Sequence, residues 1–263
     1  MEKRCIKVIR SNIKNAMNSA GFTKDGKRYI RVVNGQICQA FDFQGFSSGD
    51  CFTLNVSLFA LCEREIHNGN PMFIPMDMRV GFLLQGSDIW WDYSDKSAEE
   101  VTGIILNKLL PIFERINTCE AYYREVESAI KPDYFGARNY GSLAEFLLGI
   151  KQWGNFTWVC LKAGDYDKAM MCADNQLKRL EKQHIDAVER MQEIINQTPD
   201  DSKYMGQFKQ SLTEENERYE KNASYYKLVQ TKLSNGEYDD LLAEANRVEE
   251  KNMNCLKAFC VNA

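Results

Sequence analysis

The chain has 263 residues, of which 44% are hydrophobic and 27% charged, and its formal net charge at pH 7 is −4. This composition excludes a disordered chain and is typical of a globular protein with one large domain or two ordinary ones. No stretch approaches the roughly 20 consecutive apolar residues that a membrane-spanning helix needs, and the first residues lack the apolar core of a secretory signal.

We therefore expect a cytoplasmic protein that does not cross a membrane. Neither half of the chain is basic enough to indicate a nucleic-acid-binding protein. The nine cysteines are scattered along the chain and include no CxxC pair, which is typical of reduced, mostly buried thiols. Nothing in the sequence indicates a metal or another cofactor.

The chain begins with an amphipathic helix, predicted over residues 3–20. Ile9, Ile13 and Met17 recur at helical spacing on one side, a row of basic side chains occupies the other, and Gly21 ends the helix. A basic helix face could bind an anionic membrane or a phosphate backbone. We favour a helix that packs on a sheet and leaves its charged face in solvent.

The residues after this helix predict an antiparallel sheet, because short runs of β-forming residues alternate with tight turn signals. In one run Phe52, Leu54 and Val56 alternate with Thr53 and Asn55, which is the pattern of a strand with one buried and one polar face. The predicted strands cover residues 27–34, 36–44, 51–62, 78–84 and 88–93.

Helices are predicted after the last strand. A capping box at Ser97–Glu100 begins a helix, and we expect Pro111 to kink or break it before Ile116. A further helix is predicted over 119–131. Helices next to an antiparallel meander indicate an α+β fold for the first part of the chain.

The order of these segments resembles a known family. The most specific segments are WWDYS (residues 90–94) and LPIFERI (residues 110–116). Over about residues 1–130 the chain resembles the uncharacterised bacterial domain-of-unknown-function family 4304. The resemblance implies an α+β fold and a bacterial origin; the family has no catalytic residues to carry over.

The second half predicts helices only, so we divide the chain into an α+β domain over 1–135 and a helical domain over 136–263. The segment LKAGDYDKAMMCA (161–173) resembles a tetratricopeptide turn and recurs as LSNGEYDDLLAEA (233–245). The predicted helices cover about 143–163, 166–197, 202–233 and 237–260.

The second and third of these helices predict a long antiparallel hairpin, since only a short loop joins them. When the two apolar repeats are folded onto each other, Met191 faces Phe208 and His184 faces Glu215. We predict that His184 and Glu215 form a structural polar pair in this seam, because buried polar groups need partners.

Motifs of common enzymes are missing: there is no GxxxxGK[ST], GxGxxG, HExxH or GxSxG. The two histidines are His184 and His67, and we expect His67 to be an ordinary loop residue. Asp42 and Asp92 both lie on predicted strands, where a close pair could perform acid–base chemistry. The lack of motifs favours a protein that is not an enzyme.

The polar and aromatic residues of the sheet form the candidate ligand or partner surface. Trp90 and Trp91 are adjacent in a strand, so their side chains point to opposite faces; we expect one to be core and the other to line a surface with Tyr93. The predicted surface residues are Asp42, Asn55, Arg79, Trp91 and Tyr93.

Two classes of function remain open on the sequence alone. The first is a non-enzymatic protein–protein interaction module, for which a bacterial immunity or antitoxin-like inhibitor is one concrete version. The second is a small-ligand-binding protein or an enzyme, with a pocket on the polar and aromatic face of the sheet. The acidic helical half and the missing catalytic motifs favour the first class.

Overall fold

The computed structural model describes residues 2–47, 49–63, 78–127, 153–199 and 202–259. The predicted loop around His67, the capping box at Ser142 and the predicted helical residues 128–131 and 143–152 lie outside the described residues. Two compact units are present: the first comprises Met1–Lys151 together with Glu244–Ala263, and the second comprises Gln152–Ala243.

The first unit combines an antiparallel sheet with helices, as the predicted α+β fold requires. Its strands are β1 (Thr23–Asp25), β2 (Arg28–Val33), β3 (Ile37–Gly45), β4 (Cys51–Ala60), β5 (Met78–Arg79) and β6 (Trp91–Asp92). Its helices are α1 (Glu2–Ser19), α2 (Val80–Gln85), α3 (Asp95–Ile104), α4 (Leu110–Arg115) and α5 (Cys119–Glu127), with a π-helical segment at Ile105–Leu109.

The sheet is a meander in the order β1-β2-β3-β4-β5, and β6 pairs with β4 beside β5. The predicted central hairpin is confirmed, since β3 and β4 pair from Ile37↔Ala60 to Gly45↔Phe52. The predicted polar face of β4 is itself covered. Thr53 and Ser57 are fully buried, because both faces of this strand are covered.

One face of the sheet packs against helices. Ile9, Ile13 and Met17 of α1 are fully buried, as the predicted apolar side requires. On the sheet, Phe41 and Phe43 are buried and their rings meet edge to face at 6.2 Å. Burying each such aromatic side chain stabilises the fold by about 1.5–3 kcal/mol.

The other face is covered in part by the end of the chain. Leu256 and Phe259 pack in one cluster with residues of β2, β3 and β4, including Ile30 and Phe59. In addition, Asn252 donates a hydrogen bond to the backbone oxygen of Leu61 at 2.8 Å. These contacts explain why residues 244–263 belong to the first unit rather than to a helical domain that begins at residue 136.

Two of the predicted strands are much shorter than expected. The run 78–84 forms only β5 before it turns into α2, and 88–93 forms only β6. Gly81 accounts for the first difference, since a Cβ at this position would overlap the backbone oxygen of Ser87. The apolar run that begins at Val80 fits one buried helical turn as well as it fits a strand.

The helix after β6 differs from the prediction in two details. Ser94, not Ser97, is its N-cap, and the Ser94 hydroxyl accepts a hydrogen bond from the backbone N–H of Ser97 at 3.1 Å. The chain also stays helical from α3 to α4, so of the predicted kink or break at Pro111 the break is not formed. The π-helical segment ends two residues before this proline, which lacks the backbone donor of other helical residues.

The second unit is helical. It contains α6 (Trp153–Lys162), α7 (Tyr166–Gln197), α8 (Met205–Ser234) and the first residues of α9 (Tyr238–Cys255), and α9 is followed by a 3₁₀ turn at Lys257–Phe259. The hairpin of α7 and α8 matches the predicted pair of long helices to within a few residues. On α7 the residues buried in this unit all lie between Ala169 and Gln176.

The two similar turn sequences adopt the same structure. Gly164 and Gly236 both have positive φ, 77° and 73°, which glycine adopts without steric cost. Each ends its helix with a closing backbone hydrogen bond of about 3 Å. The tyrosines that begin the next helices, Tyr166 and Tyr238, stack with ring centroids 3.7 Å apart and an interplanar angle of 2°.

The cysteines follow the prediction for reduced, mostly buried thiols. The eight described cysteines are free, and only Cys51 and Cys255 are partly exposed. The thiols of Cys62 and Cys119 lie 3.9 Å apart. The hydrogen bond with Cys119, together with burial, raises the pKa of the Cys62 thiol well above its ordinary value.

Candidate functional site

A row of four polar residues crosses the sheet of the first unit. The strand register places Arg28 opposite Asp42, Asp42 opposite Asn55, and Asn55 opposite Arg79. The side-chain amide of Asn55 donates to Oδ1 of Asp42 at 3.0 Å and to the side chain of Gln44 at 2.8 Å. We call Arg28, Asp42, Asn55 and Arg79 the polar row.

The Asp42 carboxyl is the central acid of this row. Burial raises its pKa, while the hydrogen bond from Asn55 and the charge of Arg28 lower the pKa by less. Nε of Arg28 lies 3.9 Å from Oδ2 of Asp42, which is too long for a hydrogen bond. Asp42 therefore has a partly desolvated carboxyl that Asn55, Arg28 and Lys27 stabilise in its charged form.

Arg79 at the end of the row belongs to a second small cluster. Its guanidinium contacts Oδ2 of Asp88, and the indole N–H of Trp90 donates to the same oxygen at 2.8 Å. The Arg79 guanidinium also lies over the Trp90 ring, 4.7 Å from its centroid. The other oxygen of Asp88 is buried and accepts no hydrogen bond from any described residue.

The structure separates the five predicted surface residues. Asp42, Asn55 and Arg79 are neighbours in the polar row, but Trp91 and Tyr93 lie on the opposite face of the sheet. Trp91 is only 4% exposed and donates to Oε1 of Glu100 at 2.9 Å.

Tyr93 stacks on Phe52, with ring centroids 5.2 Å apart, and its hydroxyl donates to the backbone oxygen of Cys51. The prediction chose the wrong tryptophan, because Trp91 pairs with Phe52 of the buried apolar face. Trp90 is the aromatic residue beside the polar row. The alternation of side chains along a strand could not show which tryptophan is buried, since that depends on which residue pairs with Phe52.

Asp92 does not form an acid–base pair with Asp42. It pairs with Cys51, four residues along β4 from Asn55, a separation of about 13 Å at 3.3 Å per residue. Its Oδ1 instead accepts a hydrogen bond from the Ser94 hydroxyl at 2.6 Å. Hydrogen bonds from Ser94 and Ser97 lower the pKa of this carboxyl, which supports the start of α3.

A buried link between sheet and helix was missed by the sequence reading. Gln39 donates from its side-chain amide to the backbone oxygens of Phe113 and Ile116, at 2.7 Å each. These oxygens are at the end of α4, where carbonyls lack partners within the helix. The LPIFERI segment (residues 110–116) is thus held at its end by a side chain of the sheet, and its role is structural.

An open groove of about 460 Å³ lies on the helical side of the first unit, between α1 and the π-helical segment. It does not coincide with the polar row. Small and apolar side chains form most of its wall, and Ser19 and Glu114 supply the polar groups. The groove has no concentration of charge that would select a particular ligand.

In the second unit, the half of the α7–α8 hairpin nearest its connecting turn is largely unburied among the described residues. We call residues 177–197 of α7 and 205–222 of α8 the distal hairpin. No residue of α7 beyond Gln176 is buried. Three large apolar side chains in this region are exposed: Ile185 (47%), Ile194 (45%) and Tyr204 (48%), the last in the turn that joins the helices.

His184 and Glu215 lie opposite each other in the seam of the distal hairpin, as the predicted register requires. Nδ1 of His184 is 3.8 Å from Oε1 of Glu215, so the expected hydrogen bond is not formed. Instead, the His184 ring stacks on Tyr219 with centroids 4.1 Å apart, and Glu215 pairs with Arg218.

No group of three or more His, Cys, Asp or Glu among the described residues could hold a metal ion. None of the described helices combines the length and apolar character needed to cross a bilayer.

Comparison with known proteins bears on the first unit only. No curated protein and no solved structure matches the chain. A family model described as "Domain of unknown function (DUF4304)" matches residues 13–115. This range runs from the middle of α1 to the end of α4 and includes the whole sheet. This match confirms the resemblance of residues 13–115 to the DUF4304 family.

Proposed function

We propose that this chain is a non-enzymatic protein-interaction module whose distal hairpin binds another protein. The observation that carries the proposal is the exposure of this hairpin: α7 has no buried residue beyond Gln176, yet Ile185 and Ile194 are apolar and nearly half exposed. Helices of globular domains normally bury an apolar face against a further layer. A two-helix segment of this length leaves room for a partner to supply that layer.

The tip of the hairpin is the most suitable contact point. Ile194 lies in the last turn of α7 and Tyr204 is the last residue of the connecting turn, so the two exposed side chains are at the same end of the hairpin. Lys203 lies over the Tyr204 ring, 4.9 Å from its centroid. Aromatic side chains with a polar tip are frequent anchors of protein interfaces.

An immunity or antitoxin-like inhibitor in a bacterial cytoplasm is the concrete version that we propose. Residues 164–263 carry 14 Lys and Arg against 19 Asp and Glu, an acidic balance that suits a basic partner. The strand register separates Asp42 from Asp92, so the one acid–base pair considered from the sequence is not formed.

Affinity purification from the native host tests the proposal. The wild-type chain should capture one partner in stoichiometric amount, and the double variant Ile194→Gln/Tyr204→Ser should lose it. Leu228→Gln is the matched control, because Leu228 is 54% exposed on α8 but lies outside the distal hairpin. Equal capture by both variants, or no stoichiometric partner for the wild type, would exclude the tip as the binding site.

The polar row supports a second candidate, a small-ligand site on the sheet. Three titratable residues in its favour lie near one another: Asp42, Arg79 and Asp88. The pKa of Asp42 is raised, Arg79 contacts Asp88, and one carboxylate oxygen of Asp88 is buried without a hydrogen-bond donor among the described residues. A thermal-shift screen with charged metabolites tests this candidate. A genuine ligand should stabilise the wild type and have no effect on Arg79→Met; stabilisation of both proteins would place the ligand elsewhere.

A further inference from the structure

We propose that two copies of this chain associate through the outer face of α7, in antiparallel orientation around a two-fold axis near Ile185. The contact surface is a stripe of exposed residues, which we call the α7 stripe: Lys178, Lys182, Ile185, Glu189 and Glu193. The α7 stripe lies on the distal hairpin and shares Ile185 with the evidence for the proposed function, but it does not include the tip residues Ile194 and Tyr204, and its test does not require the proposed partner.

The α7 stripe is one continuous helix face. At about 100° per residue, its five members fall within an arc of about 80°. The same rotation places the seam residues His184 and Met191 on the opposite side of the helix, towards α8. The α7 stripe therefore points away from the rest of its own hairpin.

The order of charges along this face is self-complementary. Two lysines lie on one side of Ile185 and two glutamates on the other. The midpoint between Lys182 and Glu189 along the chain coincides with the midpoint between Lys178 and Glu193. We place the two-fold axis at this shared midpoint. Lys182 of one copy then faces Glu189 of the other, and Lys178 of one copy faces Glu193 of the other. By symmetry each pair occurs twice.

The same pattern selects the orientation of the second copy. A parallel copy in register would place lysine opposite lysine and glutamate opposite glutamate, which is unfavourable. In the antiparallel arrangement the two Ile185 side chains meet close to the axis. Each is 47% exposed in the single chain, so their contact removes apolar surface from water.

The charges of the α7 stripe are available for such pairing. Among the residues that the structure describes, none of Lys178, Lys182, Glu189 and Glu193 has an ion-pair partner within the chain. Many other exposed charges of the chain are paired, for example Arg115 with Glu125 and Lys232 with Asp240. A second copy would satisfy all four unpaired charges at once.

The size of the contact sets its strength. One helix face of about 16 residues, roughly 24 Å long, buries less area than a standard stable interface. We therefore expect a reversible dimer with a dissociation constant on the order of 10–100 µM at low salt. High salt should weaken the dimer, because exposed ion pairs are screened.

The hairpin tip stays accessible in this dimer. Ile194 comes nine positions after Ile185, which corresponds to about half a rotation of the helix, so Ile194 does not lie on the α7 stripe.

Sedimentation equilibrium of the full chain, from about 5 to 500 µM, tests the proposal. Lys182→Glu and Glu189→Lys should each weaken the dimer by about tenfold or more, because each creates two like-charge contacts. An equimolar mixture of the two variants should form heterodimers of wild-type affinity, since opposite charges again face each other. Lys209→Glu, the same charge change at an exposed position of α8, is the control and should leave the dimer unchanged.

Circular dichroism of each variant checks that the helices are intact. A wild-type chain that stays monomeric at about 500 µM in low salt would overturn the proposal. An equal effect of Lys182→Glu and Lys209→Glu would overturn it as well, since it would reflect net charge alone. Variants that fail to restore association when mixed would exclude the antiparallel pairing.

Discussion

Nε of Arg31 donates a hydrogen bond to Oε1 of Gln39 on the neighbouring strand at 2.5 Å, and both side chains are buried. Gln39 in turn holds the backbone oxygens of Phe113 and Ile116. Burial lowers the pKa of Arg31, and its contact with Glu114 opposes that shift. One glutamine thus connects a buried cation with the end of α4.

We predict that Gln39→Leu destabilises the first unit by about 3 kcal/mol. The substitution leaves Nε of a buried guanidinium and two helix-end carbonyls without their partner, and such groups are costly when unpaired. Urea unfolding followed by fluorescence measures the loss. Gln85→Leu, an exposed glutamine of α2, is the control and should change stability by about 0.5 kcal/mol or less. Equal effects would show that the buried link contributes nothing.

The two tryptophans should respond differently to truncation. Trp91→Ala removes a side chain that is 4% exposed and should cost about 3–5 kcal/mol. Trp90 is half-buried, so Trp90→Ala should cost clearly less. The unfolding free energies of both variants check the order, and acrylamide should quench Trp90 more strongly than Trp91. The reverse order would contradict the assignment of Trp91 to the core.

The two repeated turns depend on glycine. Gly164→Ala and Gly236→Ala should each destabilise the second unit by about 1 kcal/mol, because their φ values of 77° and 73° are unfavourable for a residue with a Cβ. Gly206→Ala is the control, since a Cβ there meets nothing within 4 Å and alanine favours the helix. Thermal unfolding measures all three, and an unchanged midpoint for the first two would contradict the shared turn structure.

The pKa of Asp42 predicts a pH-dependent effect. Because its pKa is raised in the folded protein, the folded state binds this proton more tightly than the unfolded state does. The stability that Asp42 contributes is therefore present at acidic pH and is lost as the pH rises through its folded pKa. The stability of Asp42→Asn relative to wild type should rise as the pH increases from about 3 to 7.

Urea midpoints at several pH values measure this difference. Asp50→Asn, at an exposed position in the β3–β4 turn, is the control, and its difference from wild type should not change in the same way. If the stability of Asp42→Asn relative to wild type falls as the pH rises, the prediction is contradicted. That result would mean that the folded protein stabilises the charged carboxylate of Asp42.

Much of this fold follows from patterns that lie within a single element. The alternation around Leu54 and the tight turn signals between the strands are sufficient to predict the meander and its central hairpin. The helical repeat from Tyr166 to Gln197 predicts α7 at its observed bounds. Each pattern is local, because one strand or helix contains both the apolar residues and the signals that end it.

The features that escaped prediction depend on residues distant in the chain. Which tryptophan is buried depends on which of Trp90 and Trp91 pairs with Phe52. The cluster at Arg79 depends on Asp88, which follows α2 in the chain. The docking of Leu256 on the sheet joins residues more than 190 positions apart. Such contacts are set by tertiary packing, which a local period does not encode.

The central claim is that the distal hairpin, rather than the polar row, binds the partner. Hydrogen–deuterium exchange of the chain alone and in its purified complex tests this most directly, since binding slows exchange where a partner covers exposed helices. We predict that protection appears in residues 177–197 and 205–222 and is lost with Ile194→Gln/Tyr204→Ser. Protection confined to β3, β4 and β5, with no change in the hairpin, would contradict the proposal and favour the polar row.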